Sequence, residues 1–325
     1  MPLEQHTPRG KEPRHDTVLL KEAVEALAIQ PAETVVDATL GGAGHFAAIL
    51  ERLGEGGTVV GIDADAAAVN RARETYARDR RPERPVAHLV NDNFRNIARV
   101  LERLGVGQVD AALFDLGWSG FQLADVRGFS FQNDEPLIMT YGESDTTAAD
   151  LVNTLGEEAL ADLIYTYGEE RFARGIAKAI VATRSHERIL TTHALVEAVK
   201  EGTPRFYHTK INPATKTFQA LRIAVNDELG SIRDGLSATL DLLAPGGRLA
   251  VITFHSIEDR IVKNLFRDAT ASGRGELATK KPVVPSKAEI ISNRRARSAK
   301  LRVFTRAAQA PRVIVPEPLT LLSYV

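Results

Sequence analysis

Three short apolar runs in the first third of the chain each end in an acid: Thr34-Val35-Val36-Asp37, Thr58-Val59-Val60-Gly61-Ile62-Asp63 and Val109-Asp110-Ala111-Ala112-Leu113-Phe114-Asp115. A fourth, Val86 to Val90, leads into Asn91-Asp92-Asn93-Phe94. The runs are nearly continuous, not alternating, which is the pattern of strands covered on both faces. Helical stretches separate them, the first from His45 to Leu53, so residues 34–118 read as βα units of a parallel sheet. Near residue 125 the pattern changes. From Thr146 to Lys200 only helical periodicity is present, broken at Gly156, Gly168 and Ser185–Leu190. Phe172, Ile176 and Ile180 form an apolar stripe there, and Arg171, Arg174 and Lys178 fall on another face of the same helix. The α/β pattern resumes at Thr217 with one helix through Phe218, Leu221, Ile223, Val225 and Leu229. A stop and turn at Leu242–Gly247 follows, then a strand from Arg248 to Phe254. The expectation is an α/β domain formed by residues 1–124 and 214–325, interrupted by an all-helical insertion at 125–213.

Composition adds exclusions. The chain has 325 residues, 44% hydrophobic and 26% charged, enough for a substantial core. Its 41 Lys/Arg and 42 Asp/Glu leave a formal charge of −1, so binding to nucleic acid must use local patches. One such patch is Lys280 to Arg306, where nine Lys/Arg face Glu289 alone. It reads either as a phosphate-facing surface or as a solvated basic edge. Cysteine is absent, which excludes disulfides, thiolate metal sites and a cysteine nucleophile. No run of ~18 apolar residues and no apolar leader core occurs, so a cytoplasmic chain without membrane contact is expected.

The candidate chemistry sits at the carboxyl ends of the strands, where open parallel sheets bind ligands. Gly41-Gly42-Ala43-Gly44 follows the first strand and opens a helix, a loop that lets backbone approach a ligand. Asp63, ending the second strand, suits the two hydroxyls of a ribose. Gly42-Ala43-Gly44-His45-Phe46-Ala47 also fits the G-x-G-x-x-A form of a dinucleotide site, so a nicotinamide oxidoreductase is an alternative. S-adenosylmethionine is favoured by Asp37, an acid suited to an ammonium group, by Asp115 at the fourth strand's end, and by the Leu243 to Val251 turn and strand. His255-Ser256-x-Glu258-Asp259 lacks a second histidine at ligand spacing, so no metal is expected. Gly117-Trp118-Ser119-Gly120 is not a nucleophile elbow. His255 is expected beside the cleft, to orient substrate or relay a proton.

Longer blocks carry a family resemblance. They are His15-Asp16-Thr17-Val18-Leu19-Leu20-Lys21-Glu22, Asp37 to His45, Phe114-Asp115-Leu116-Gly117, Arg127 to Phe131 and Tyr167 to Phe172. Pro213-Ala214-Thr215-Lys216-Thr217-Phe218-Gln219-Ala220-Leu221-Arg222-Ile223-Ala224-Val225-Asn226 is the most specific; Phe254 to Arg260 and Arg297 to Arg302 complete the set. The chain resembles the bacterial small-subunit ribosomal RNA methyltransferase H family, whose members methylate N4 of one cytosine in the decoding centre of 16S rRNA. The resemblance implies a Rossmann-like class I S-adenosylmethionine-dependent methyltransferase with a seven-stranded sheet and an inserted helical domain. It also implies a cofactor site with Ala43, Gly44 and His45 in the loop, Asp63 on the ribose, Phe94 flanking the adenine, and Asp115 and Gln122 closing the site. Four departures stand out. Ile138-Met139-Thr140-Tyr141 replaces the family's Asp-Met-Arg-Met, Trp118 and Gly120 replace smaller or hydroxyl residues, Lys216 stands for Arg, and Arg294 for Pro.

N-methylation needs no covalent adduct, whereas cytosine C5 methylation ordinarily uses a thiolate, so the absence of cysteine agrees with the N4 reaction. Asp115 either accepts a hydrogen bond from the amine or only positions the cofactor. Trp118 is the candidate stacking platform for a splayed base, or else a core or lid residue. Arg171, Arg174, Lys178, Arg294, Arg295 and Arg297 become candidate contacts to RNA in the small ribosomal subunit. A non-catalytic RNA-binding assembly factor is the remaining alternative.

Overall fold

The computed structural model describes residues 17–117, 126–141, 146–209 and 212–308. Trp118 and Gln122 therefore lie outside the described residues. Helix α1 (Leu20–Leu27) precedes β1 (Thr34–Asp37), and α2 (Gly44–Arg52) leads to β2 (Thr58–Asp63). There follow α3 (Ala66–Arg78), β3 (Val86–Asn91), α4 (Ile97–Arg103) and β4 (Val109–Asp115). Then come α5 (Ala148–Thr154), α6 (Glu157–Gly168), α7 (Ala173–Arg184), α8 (Thr192–Glu201), α9 (Thr215–Asn226) and α10 (Glu228–Leu242). The chain returns through β5 (Leu243–Thr253), α11 (Ser256–Ala271), β6 (Gly275–Leu277), α12 (Lys287–Ser292) and β7 (Lys300–Arg306).

The seven strands form one sheet in the order β3-β2-β1-β4-β5-β7-β6. The first five are parallel, while β7 runs antiparallel to both β5 and β6. Strand order reverses between β1 and β4, and the crevice there is where such sheets bind ligands. Successive strand residues point to opposite faces and both faces are apolar. Val35, Val59, Leu113, Ala250 and Val303 pack under α1, α2 and α3. Val36, Val60, Phe114, Val251 and Phe304 pack under α4, α10 and α11. This two-sided burial is the physical content of the continuous apolar runs.

A third core lies among α5 to α9, built from Val152, Ile164, Ile176, Ile180, Leu195 and Phe218, with Phe129, Leu137 and Met139 from the entry loop. Ile176 and Ile180 are fully buried, and Arg174 and Lys178 are exposed on the other face of α7. Helix α9 serves two cores: Ala214, Phe218 and Leu221 join the helical one and Ile223 joins that of the sheet.

The single helix expected from Thr217 to Leu229 is two. It breaks at Asp227, whose φ of 44° caps α9 and opens α10. The preceding Asn226 side chain is turned onto the entry loop: Nδ2 donates to the Met139 carbonyl at 2.7 Å and Oδ1 accepts the Tyr141 amide at 2.9 Å. The Leu242–Gly247 turn is absorbed into β5 as an irregularity, because Leu243 pairs with Val109 and Arg248 with Ala111. The basic tail also divides. Asp259 holds Arg302 Nε at 2.7 Å and Lys300 Nζ at 3.0 Å, and Arg306 donates to the Asp241 carbonyl at 2.9 Å. Lys280, Lys281, Lys287, Arg294, Arg295 and Arg297 remain exposed.

Helices α6 and α9 cross at a glycine. A Cβ added to Gly168 would lie 2.6 Å from the Lys216 carbonyl oxygen, a backbone atom that cannot swing aside. Gly168→Ala should therefore cost about 1–3 kcal/mol through overpacking. Gly107→Ala, where no atom lies within 4 Å of the new methyl, should stay within roughly 0.5 kcal/mol of the parent. Urea unfolding of the two variants checks the pair, and equal stabilities would refute the crossing as a close contact.

Candidate active site

A cavity of about 490 Å³ opens at the β1–β4 switch point and extends beneath the helical unit. One wall is the loop after β1. Ala43 there has φ of 62°, an uncommon conformation for alanine, and its amide is committed to the Leu40 carbonyl at 2.6 Å. Ala43 is buried in the core beneath the loop, while Gly41, Gly42, Gly44 and His45 reach the cavity. Gly44 has no room for a side chain: a Cβ would fall 1.8 Å from Thr17 Oγ1. The chain before α1 thus closes over the loop, and Thr17 and Val18 line the cavity.

Three carboxyl groups stand at the strand ends. Asp63 Oδ2 accepts the Gly41 amide at 2.9 Å and Oδ1 accepts the Asp65 amide at 2.8 Å. Burial outweighs these bonds and pushes the group up to about 6. Asp115 Oδ1 accepts the Gly117 amide at 3.1 Å, and Oδ2 lies 3.5 Å from Nδ1 of the buried His45. Burial, reinforced by the charge of Glu258, lifts Asp115 to about 7. Asp37 is fully buried. Its Oδ1 accepts the Thr39 amide at 3.2 Å, and its Oδ2 has no hydrogen-bond partner among the described residues. Burial first, and then the neighbouring Asp115 and Asp63 charges, holds it well above the ordinary carboxylate range. Asp37 is closed off from the cavity, so the acids that can meet a ligand are Asp63 and Asp115, and a cation beside them would favour their ionised forms. A ligand carrying an ammonium, a sulfonium and a ribose fits this donor set. A pyrophosphate, which would meet the same acids as an anion, does not. Phe94 lines the cavity with Asn93, Ser231 and Ile232 and meets Phe114 edge-on at 5.5 Å, presenting an aromatic wall suited to an adenine.

The opposite part of the cavity comes from the entry loop, α9, α10 and the end of β5. Phe129 and Tyr141 stack at 5.4 Å with 12° between planes, and Phe131 meets Phe218 edge-on at 5.2 Å. Glu228 lies 2.7 Å from Arg222 Nε, and its Oε1 accepts the Tyr141 hydroxyl at 2.8 Å. His255 lines the cavity at the amino end of α11. Its Nδ1 accepts the Glu258 amide at 3.4 Å and its Nε2 lies 2.9 Å from Glu258 Oε1. An accepting Nδ1 assigns the proton of the neutral ring to Nε2. Glu258 Oε2 in return accepts the Phe254 amide at 2.8 Å. The donor atoms of Glu228, His255 and Glu258 lie within 4.8 Å of one another, a convergence not anticipated from sequence. The Arg222 guanidinium already occupies the charge-balancing position beside Glu228, so this donor set suits a divalent cation poorly.

Arg294, Arg295 and Arg297 project from a short turn, Arg294–Ser298, anchored by the buried Ala296. Arg295 reaches the cavity, joining the basic patch to the site. Arg171 lies over the rings of Phe172 and Tyr207 at 4.6 and 5.5 Å. Arg171, Arg174 and Lys178 do not line the cavity. Sequence reasoning missed Ser231 on the Phe94 side and Phe131, Tyr141, Glu228 and Glu258 as parts of the opposite wall. The clearest available signal was the Pro213 to Asn226 block, which continues directly into Glu228.

A family model described as "MraW methylase family" matches residues 12–307. A protein of Deinococcus radiodurans named "Ribosomal RNA small subunit methyltransferase H" is 52% identical over 295 residues, 90% of either chain. Proteins of the same name from Deinococcus deserti and Brevibacillus brevis are 48% and 44% identical over 98% and 89% of this chain and 99% and 96% of their own. The seven-stranded sheet with its antiparallel β7, the glycine loop at the switch point and the match over nearly the whole length agree: the chain belongs to the MraW methylase family.

Proposed function

We propose that this protein transfers a methyl group from S-adenosylmethionine to N4 of a cytosine in 16S rRNA, acting on the small ribosomal subunit in the cytoplasm. The observation that carries the reading is one continuous cavity. It runs from the glycine loop and the strand-end acids to an aromatic chamber, with the exposed Arg295 on its wall. We read the helices between residues 125 and 213 as the substrate-side unit, with α9 as the wall it shares with the sheet. No described helix is long and apolar enough to cross a membrane.

Bound S-adenosylmethionine supplies an electrophilic methyl carbon on a sulfonium. The loop Gly41 to Gly44 and Asp63 hold its amino-acid and ribose parts, Phe94 flanks the adenine, and Gln122 belongs to the same site. The cytosine amine is a poor nucleophile because its lone pair is delocalised into the ring. Holding it in line and accepting a hydrogen bond from it lowers that barrier. Asp115, at the end of β4, is the acceptor in this reading, with Nδ1 of His45 3.5 Å from its Oδ2. His255 keeps Glu258 oriented across the cleft. Trp118 and the outward cations Arg171, Arg174, Lys178, Arg294, Arg295 and Arg297 contact RNA.

The raised carboxyls give a sign to the pH dependence. Their ordinary value is 3.8, and Asp63 and Asp115 sit at about 6 and about 7, so between these limits the ligand-free folded protein binds more protons than the unfolded chain. Stability from these groups is present at low pH and falls as pH rises through that window. A cationic ligand that requires the ionised forms reverses the trend. The thermal shift caused by S-adenosylmethionine should be larger near pH 8 than near pH 5, and Asp63→Asn should flatten the difference. A shift independent of pH would refute the electrostatic account.

Asp115→Asn should lower single-turnover methyl transfer to unmodified small subunits by about 10²–10⁴-fold while leaving affinity for S-adenosylhomocysteine within a few-fold. N4-methylcytidine at one site in the wild-type product establishes the reaction, and its absence refutes it. Replacing Arg294, Arg295 and Arg297 by Gln should weaken RNA binding and reduce the slope of log K against log salt by roughly 2–3. An unchanged slope would remove these residues from the interface.

A further inference from the structure

The chamber opposite the cofactor loop is walled by aromatic rings, and Gln132, Thr215, Gln219, His255 and Glu258 enter the same lining. Asn226 is engaged by backbone groups: its amide donates to the Met139 and Arg222 carbonyls and its carbonyl accepts the Tyr141 amide. The Tyr141 hydroxyl donates to Glu228. An arginine–carboxylate pair, Arg222–Glu228, stands in this lining, and its acid keeps acceptor capacity. Glu228 Oε1 receives the Tyr141 hydroxyl at 2.8 Å and lies 2.7 Å from Arg222 Nε, whereas Oε2 receives only Arg222 Nη2, at 2.8 Å, among the described residues. A carboxylate oxygen accepts two hydrogen bonds, so Oε2 has one acceptor direction left.

Both side chains are almost fully buried yet line the cavity, at 6% and 11% exposure. An ion pair retained for stability alone has no need of a cavity wall, and burying one seldom stabilises more than well-packed apolar residues would. Arg222 faces two carboxylates, Glu228 and Glu258, and the charge of Glu258 is felt at Glu228 and at Asp115 alike. Arg295 is the second arginine on the same lining.

We propose that the Arg222–Glu228 pair reads the target base, Glu228 accepting a hydrogen bond from the exocyclic amine of cytosine and Arg222 donating to the acceptors of the same ring edge. Phe129, Tyr141 and Phe218 supply the walls against which the ring packs. Uracil is rejected because its 4-carbonyl sets one acceptor against another in a dry site, where an unmet polar group is costly. The inference rests on the cytosine reading above and names the groups that make the base a cytosine.

The test uses the full-length protein saturated with S-adenosylhomocysteine, with nucleoside binding followed by ligand-observed NMR. Cytidine should bind at least about tenfold more tightly than uridine or than 2-pyrimidinone riboside, which lacks the amine. Glu228→Gln presents an amide N–H in place of a lone pair, so it should lose the preference and gain uridine affinity while its affinity for S-adenosylhomocysteine stays unchanged. A residue that only supports the fold cannot exchange one base for another. Equal binding of cytidine and 2-pyrimidinone riboside by the wild type overturns the inference without any variant. So does a folded Glu228→Gln protein that keeps the cytidine preference. Methyl transfer by the wild type to unmodified small subunits is measured alongside. If it occurs and the base preference is absent, only this inference fails; if it does not occur, the functional reading itself has failed.

Discussion

The structure depends on the burial of like charges at the reversal of strand order. A parallel sheet brings the carboxyl ends of β1, β2 and β4 to one edge, and this sequence ends each of those strands in aspartate. Asp37, Asp63 and Asp115 therefore meet in a region largely withdrawn from water, all with their protons held more tightly than in a free carboxyl. Apart from function such an arrangement is unfavourable, since each acid pays desolvation and Asp37 feels the charges of the other two. The surrounding bonds relieve it only in part. Backbone amides of the glycine loop and of residues 65 and 117 are spent on these carboxylates. In the proposed function, a cationic ligand with a ribose relieves the imbalance that remains at Asp63 and Asp115.

Around that edge, parts distant in sequence are held by a few specific contacts. Thr17 presses on the loop at Gly44, and the Leu19 amide donates to Glu289 on α12 at 2.7 Å, which fastens the start of the chain near the basic turn. Glu169, at the carboxyl end of α6, accepts Arg260 Nη2 at 2.6 Å and so ties α11 to the helical unit. Asp259, on the same helix, holds Lys300 and Arg302 of β7. Helix α11 thereby fixes both the outer strands and the inserted helices relative to the cavity, and its first turn carries His255 and Glu258 on the wall. A shift of this helix would be felt at cofactor and substrate ends together.

What could be read from the sequence follows the physics of local pattern. Two-sided burial writes itself as continuous apolar runs, and the bounds of β1, β2 and β4 coincide with those runs. The stripe at Ile176 and Ile180 was legible for the same reason. Long-range competition was not. The helix break at Asp227 arises because Asn226 is drawn to the entry loop some 85 residues away in sequence, a partner that no local window contains. The basic tail read as one patch because charge counting cannot see that Asp259 is its internal partner. At the site, the acids and glycines of the cofactor side announced themselves by position at strand ends. The chamber wall did not, because Tyr141, Arg222 and Glu228 are ordinary residues until the fold brings them within 3 Å of one another.

The departure at Ile138–Tyr141 gains a physical meaning in this light. Met139, with φ of 60°, donates its amide to the Arg127 carbonyl at 2.8 Å, and its own carbonyl accepts Asn226. Arg127 Nη1 donates to the carbonyls of Thr140 and Tyr141 at 3.0 and 3.2 Å. The loop is held by its backbone, which any side chain can supply, so a changed sequence there need not change its path. Tyr141 differs: its ring stacks on Phe129 and its hydroxyl reaches Glu228. A residue without that hydroxyl would leave Oε1 one hydrogen bond short in a buried position, a deficit that in turn weakens the hold on Arg222. The substitution therefore adds a hydrogen bond to the polar wall of the chamber through a group that lies outside the recognisable glycine loop.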